Sequence, residues 1–138
     1  MESVNREYIV KRLEGRGIYP TAQRIRIAEI MLARAQHMSA DKVMEAINMG
    51  DATVSKATVY NTLGLFAKKG LLREVIVDPS KVFYDSNTTE HHHFYNVDTG
   101  ELSDIHADQM LLGELPDLPE STEIDGVEVI VRVREKRS

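Results

Sequence analysis

The sequence contains no cysteine. That absence excludes disulfides, thiolate zinc sites and cysteine nucleophiles together. It also contains no apolar run near the roughly 20 residues that a membrane helix needs. The opening stretch MESVNREYIV has no apolar segment behind a basic start. No secretory leader and no membrane partner are therefore expected, and the expected location is cytoplasmic. No strong excess of one charge marks the whole chain: 138 residues carry a net −5. That total conceals an asymmetry. Residues 1–85 hold 13 Lys and Arg against 10 Asp and Glu, a net +3, whereas residues 86–138 hold 4 against 12, a net −8. A basic half followed by an acidic half suggests a nucleic-acid binder joined to a second module.

What the chain does have is a change of period. Up to about residue 70 the apolar spacing is helical. Tyr8, Ile9 and Leu13 share a face within a first helix from about Ser3 to Arg16. Gly17 and Pro20 interrupt it. Thr21 can cap a second helix with Ile27, Met31 and Leu32 inward. Ser39 can cap a third, with Asp41 in its first turn, where the helix dipole favours an acid. Val43, Ala46 and Ile47 give its buried stripe and Gly50 its stop. Ser55 can cap a fourth, with Val59, Leu63 and Phe66 inward and Gly70 closing it.

Beyond Gly70 the runs are short and β-rich. LLREVIVD and KVFYD, separated by Pro79 and Ser80, predict a hairpin. Helices leading into a hairpin are the order of a winged helix-turn-helix. HHHFYNV and ELSDIH flank Asp98-Thr99-Gly100, a strong turn signal. A short helix is expected near Ala107–Leu112, then a proline-bearing loop. In GVEVIVRVREK, alternating valines at 127, 129, 131 and 133 predict a half-buried strand. The expected fold is α+β: a winged-helix DNA-binding domain over 1–85, then a small α/β dimerisation domain over 86–138. About 50 residues make a poor independent core, so pairing with a second copy is expected.

The fourth helix carries polar groups suited to DNA. Ser55, Lys56, Thr58, Tyr60 and Asn61 lie toward its N-terminal end, the part of a recognition helix that reaches base edges. Asn bonds adenine in a bidentate way. Lys56, with Thr21, Gln23 and Arg24 from the second helix, suits phosphates, and Lys81 in the hairpin suits the backbone or minor groove. A solvated polar helix face is the plain alternative.

Four of the five histidines fall between Thr88 and His106, three of them consecutive. Their mid-chain position excludes a purification tag. On a strand, His91 and His93 face one way and His92 the other. Strand ELSDIH can bring Asp104 alongside. Asp85 ends the hairpin and His37 precedes the third helix. Histidine with carboxylate suits Fe²⁺, Mn²⁺ or Zn²⁺. A metallohydrolase would use similar ligands but leaves the helix-hairpin pattern unexplained, so no enzyme is expected.

The motifs SKATVYNTLGLFAKKGLL, YPTAQRIRI, QHMSADKV and HHHFY together resemble the Fur superfamily of metal-responsive transcriptional regulators. The shared ATVYNTL, GLLREV, FYDSNTTEHHHFY and VIVRVREKR are similar to the Irr-type iron response regulators. The resemblance implies a homodimer on a palindromic, AT-rich operator in double-stranded DNA. It implies an inter-domain metal site at His37, Asp85, His93 and Asp104. It assigns His91 and His92 to haem or to a second metal. Phe94 stands where that second site usually has an acid, and Tyr95 where the family usually has a histidine. Both substitutions shift the expectation toward haem, with Phe94 and Tyr95 as an aromatic patch. A peroxide-sensing relative, and a DNA-binding module with purely structural metal, are the other readings the resemblance leaves open.

Overall fold

The computed structural model describes residues 5–49 and 54–137. The chain divides into two compact units, 1–88 and 89–138.

The first unit is built on four helices. Helix α1 spans Arg6–Gly15, capped by the Asn5 side chain, which accepts from the Glu7 N–H. Its inward face is Ile9 and Leu13. Tyr8 does not join them: it is 47% exposed, and its hydroxyl accepts from Arg12 one turn on. A residue adjacent to Ile9 is rotated by about 100° around the helix, which here turns Tyr8 toward solvent. Helices α2 (Ala22–Leu32), α3 (Ala40–Ile47) and α4 (Lys56–Lys68) are capped by Thr21, Ser39 and Ser55, each accepting the N–H three residues on. Each such cap contributes about 1 kcal/mol. Val43, Ile47, Val59, Leu63 and Phe66 are fully buried. Leu32 and Ala46, expected inward, are only half-buried. Gly70 ends α4 with a φ of +78°. That positive φ selects glycine; a Cβ there would lie 3.2 Å from the Arg16 guanidinium, which is exposed and can move aside. Ser3 and Gly50, expected to begin and end helices, lie outside the described residues.

The expected hairpin forms as β2 (Arg73–Asp78) and β3 (Lys81–Asp85), joined through Pro79 and Ser80. A third strand joins them. His37–Ser39, just ahead of the third helix, is β1 and pairs antiparallel with β3, giving the order β1-β3-β2. Alternation splits this sheet into two faces. Tyr84, Met38 and Val82 pack on the helical core. His37, Phe83, Asp85 and Val75 take the other face, set there by the registers His37↔Asp85 and Val75↔Phe83.

The second unit holds β4 (His92–Asn96), β5 (Leu102–Ile105) and β6 (Ile130–Val133) in the order β5-β4-β6. The β4–β5 turn contains Gly100 at φ +77°. β6 runs parallel to β4. The expected helix near Ala107–Leu112 is a single 3₁₀ turn, Ala107–Gln109. The terminal strand is shorter than its valine alternation predicts, and Val133 is 37% exposed. Leu111, Leu112, Leu115, Leu118 and Ile124 also stay exposed along the connection to β6.

Candidate metal centre and nucleic-acid interface

The β4–β5 register creates the candidate metal centre. The turn pairs Tyr95 with Leu102 and His93 with Asp104, so the last two are directly opposed on one face. His91, two residues before His93, points the same way. The His93 Nε2 lies 3.3 Å from Asp104 Oδ1, and the His91 Nε2 lies 3.5 Å from the same oxygen. The two imidazoles stand 4.5 Å apart between centroids, tilted by 58°. Both are buried: His91 is 5% exposed and His93 fully enclosed.

The proton positions follow from the neighbours. His91 Nδ1 lies 2.7 Å from the Thr89 carbonyl oxygen. A carbonyl only accepts, so Nδ1 carries a hydrogen and Nε2 is the nitrogen turned toward Asp104. On His93, Nδ1 faces the Glu128 carboxylate at 3.6 Å while Nε2 faces Asp104. The two Nε2 atoms thus converge on one carboxylate oxygen. That arrangement asks for positive charge between them, from protons or from a cation. One ligand atom from each of His91, His93 and Asp104 lies within 4.8 Å of the others. A single ion with bonds of about 2.0–2.2 Å closes that span with small side-chain shifts. Two imidazoles and a carboxylate, without sulfur, fit Fe²⁺, Mn²⁺ or Zn²⁺.

In the first unit, His37 and Asp85 are register partners on neighbouring strands. Asp85 is 2% exposed, and its Oδ1 accepts from the Asn87 N–H at 2.9 Å. His37 is half-buried with its ring edge-on to Phe83. Strand β1, which the sequence pattern does not show, is what brings these two residues together.

Sequence reasoning leaves His91 outside the four-residue metal set, yet it lies beside His93 and Asp104. The signal is present in the i, i+2 spacing. Sequence reasoning also misses Glu128, which no local pattern connects to β4. His92 points away from this cluster, as alternation requires, and its Nδ1 accepts the Val129 N–H at 2.9 Å. It thereby ties β4 to the segment entering β6. His106 is exposed at the start of the 3₁₀ turn. The expected aromatic patch is split: Tyr95 is buried on the His93 face, whereas Phe94 is 40% exposed on the opposite one. Consecutive strand residues cannot share a face.

The helical unit presents a shallow groove of about 330 Å³ between the starts of α2 and α4, lined by Thr21, Gln23, Arg24, Thr58, Asn61 and Thr62. Thr21 is held as a cap, and an Arg24 Nη1–H donates to the Tyr19 carbonyl at 3.0 Å. Ser55 both caps α4 and donates to the Thr58 hydroxyl at 2.9 Å. Lys56 lies over the Tyr60 ring at 5.7 Å, and the Tyr60 hydroxyl reaches Asp41 at 3.4 Å. Asn61 is exposed at the groove and Lys81 on the hairpin. Tyr84, on β3 and packed on the helical core, has its phenol pushed above its ordinary value by burial, then by the charges of Glu74 and Tyr60.

The sequence pattern of the ferric uptake regulator family matches residues 15–124, most of both units. The chain belongs to the ferric uptake regulator family. Members of this family are metal-responsive transcriptional regulators. Among curated relatives, the peroxide-responsive repressor PerR of Staphylococcus epidermidis is 29% identical over 112 residues, 80% of this chain and 75% of that protein. Among solved structures, the ferric uptake regulator of Pseudomonas aeruginosa with manganese superposes with a TM-score of 0.69 at 24% identity, covering 92% of this chain and 97% of that one. The Helicobacter pylori ferric uptake regulator gives 0.67 at 16% identity, covering 99% and 95%. These two likenesses show the ferric uptake regulator fold. No helix among the described residues is long and apolar enough to cross a membrane.

Proposed function

We propose that this protein is a cytoplasmic, dimeric repressor of the ferric uptake regulator family. Its affinity for double-stranded DNA would be set by a divalent ion. The observation that carries the reading is the convergence of the His91 and His93 Nε2 atoms on one Asp104 oxygen, in a buried site of a chain from this family. His91, His93 and Asp104 would hold the ion in the second unit; His37 and Asp85, register partners in the first, are the further ligands that the family resemblance implies. In a dimer the bound ion would set the separation of the two α4 helices and so their match to a palindromic, AT-rich site. The first unit acts as a winged helix-turn-helix: α4 reads bases through Tyr60 and Asn61, while Ser55, Lys56, Thr58, Thr21, Arg24 and Lys81 position the backbone. No catalytic turnover is part of this function.

The regulated genes on this reading are those of iron and haem homeostasis, as the Irr-type motifs imply. Haem itself would use His92 and Phe94, which share the strand face opposite His93. A second reading, peroxide sensing, is supported by the names of the curated relatives. Metal analysis and peroxide challenge distinguish them. One divalent ion per chain, lost in a His93→Ala/Asp104→Ala variant, supports the shared metal-responsive reading; no bound ion at any pH near neutrality would defeat it. Histidine oxidation, seen by mass spectrometry in the iron-loaded protein after peroxide, selects the second reading.

A further inference from the structure

We infer that Glu128 is a positioning residue for the metal site: with an ion bound, its carboxylate would accept the His93 Nδ1 hydrogen and fix the ring with Nε2 toward Asp104. The inference rests on the metal-responsive reading above and extends it to a residue outside the ligand set. Three observations carry it. The Glu128 Oε1 lies 3.6 Å from His93 Nδ1, on the far side of the ring from Asp104. The Glu128 side chain is 26% exposed, and His93 is fully buried. Residue 128 also lies just before β6, whose register sets Ile130 opposite His93.

A neutral imidazole has one hydrogen for two nitrogens. With Nε2 used as a donor to an ion, the hydrogen must sit on Nδ1, where an anionic acceptor both selects that tautomer and raises the donor strength of Nε2. Asp104 cannot do this, because it faces Nε2 itself. His91 has the equivalent partner in the Thr89 carbonyl, a neutral acceptor. The two histidines thus differ in the charge behind them, and His93 is the stronger donor of the pair. The distance of 3.6 Å is longer than a formed hydrogen bond. The contact would close if the ring and carboxylate settled around an ion.

The test uses the full chain and Co²⁺ as the probe, comparing wild type with Glu128→Gln and Glu128→Asp. Titrations would be followed by the visible ligand-field bands, and thermal unfolding of the metal-free proteins measured alongside. Glu128→Gln keeps the shape but loses the charge. It should weaken Co²⁺ binding by about 10–100-fold, the usual effect of removing an outer-shell partner, and shift the ligand-field bands. Glu128→Asp should recover part of both. The metal-free melting temperature should be unchanged in either variant. Wild-type affinity and spectrum in Glu128→Gln would overturn the inference while leaving the metal site intact. Equal loss in both variants with a lowered metal-free melting temperature would also overturn it, showing a merely structural role. Failure of wild type to bind Co²⁺ would instead overturn the reading on which the inference stands.

Discussion

His93 and Asp104 face each other across the β4–β5 ladder, with Nε2 and Oδ1 3.3 Å apart. Two features of the sequence produce this pair. The turn through Asp98, Thr99 and Gly100 closes on the Asn96 N–H to Glu101 carbonyl bond, which fixes the register. The alternation of the strand then puts His93, and not His92, on the Asp104 face.

Removing either member of the pair should abolish tight metal binding. For His93→Ala and Asp104→Ala, the loss should exceed the roughly 10–100-fold that follows removal of an outer partner. His92→Ala should bind the ion as wild type does, since its ring lies on the other face. Calorimetric titration with Mn²⁺ checks all three, and a large effect in His92→Ala alone would contradict the assignment.

The histidine pattern is partly legible in the sequence. Alternation places His91 and His93 together, and the turn signal brings Asp104 to them. The family resemblance nevertheless assigns His91 elsewhere, because a motif gives identities and not directions. The helices are legible through their caps: Thr21, Ser39 and Ser55 all accept the expected N–H. Strand β1 is not, because three residues beside a helix cap carry too little period to show pairing. Glu128 is invisible because its partner lies far back in the chain and is reached only through a parallel strand pairing. Phe94 and Tyr95 make a patch only if adjacency in sequence is taken for adjacency in space.

On the DNA side, Lys56 and Asn61 should fail differently. Lys56→Ala should weaken binding to all sequences alike and reduce the salt dependence by about one phosphate contact. Asn61→Ala should cost about 1–3 kcal/mol against the preferred operator and little against unrelated DNA. Fluorescence anisotropy over a salt series separates the two, and identical salt slopes would remove Lys56 from the phosphate contacts.

Ser55→Ala should lower stability by about 1 kcal/mol through loss of the α4 cap, while Ser55→Asp should retain most of it. Chemical denaturation followed by circular dichroism measures both. Equal stability of Ser55→Ala and wild type would show that the cap is dispensable.

Tyr84 should give the protein an alkaline limit. Burial holds its phenol above the ordinary value of 10, so its neutral form is favoured in the folded state. The associated stability is complete below that ordinary value and is lost as pH rises through the folded one. Tyr84→Phe should therefore show a shallower fall in melting temperature above pH 10. An unchanged slope would place the alkaline sensitivity elsewhere.

The central claim is that the ion at His91, His93 and Asp104 sets DNA affinity. The direct measurement is a binding titration on an AT-rich palindromic duplex at one fixed salt concentration, with metal-free and Mn²⁺-loaded wild type and His93→Ala. The account predicts that the two wild-type forms differ by about tenfold or more, a coupling of about 1.4 kcal/mol, and that metal makes no difference to His93→Ala. Equal affinity of the metal-free and metal-loaded wild type, with metal binding confirmed, would contradict it.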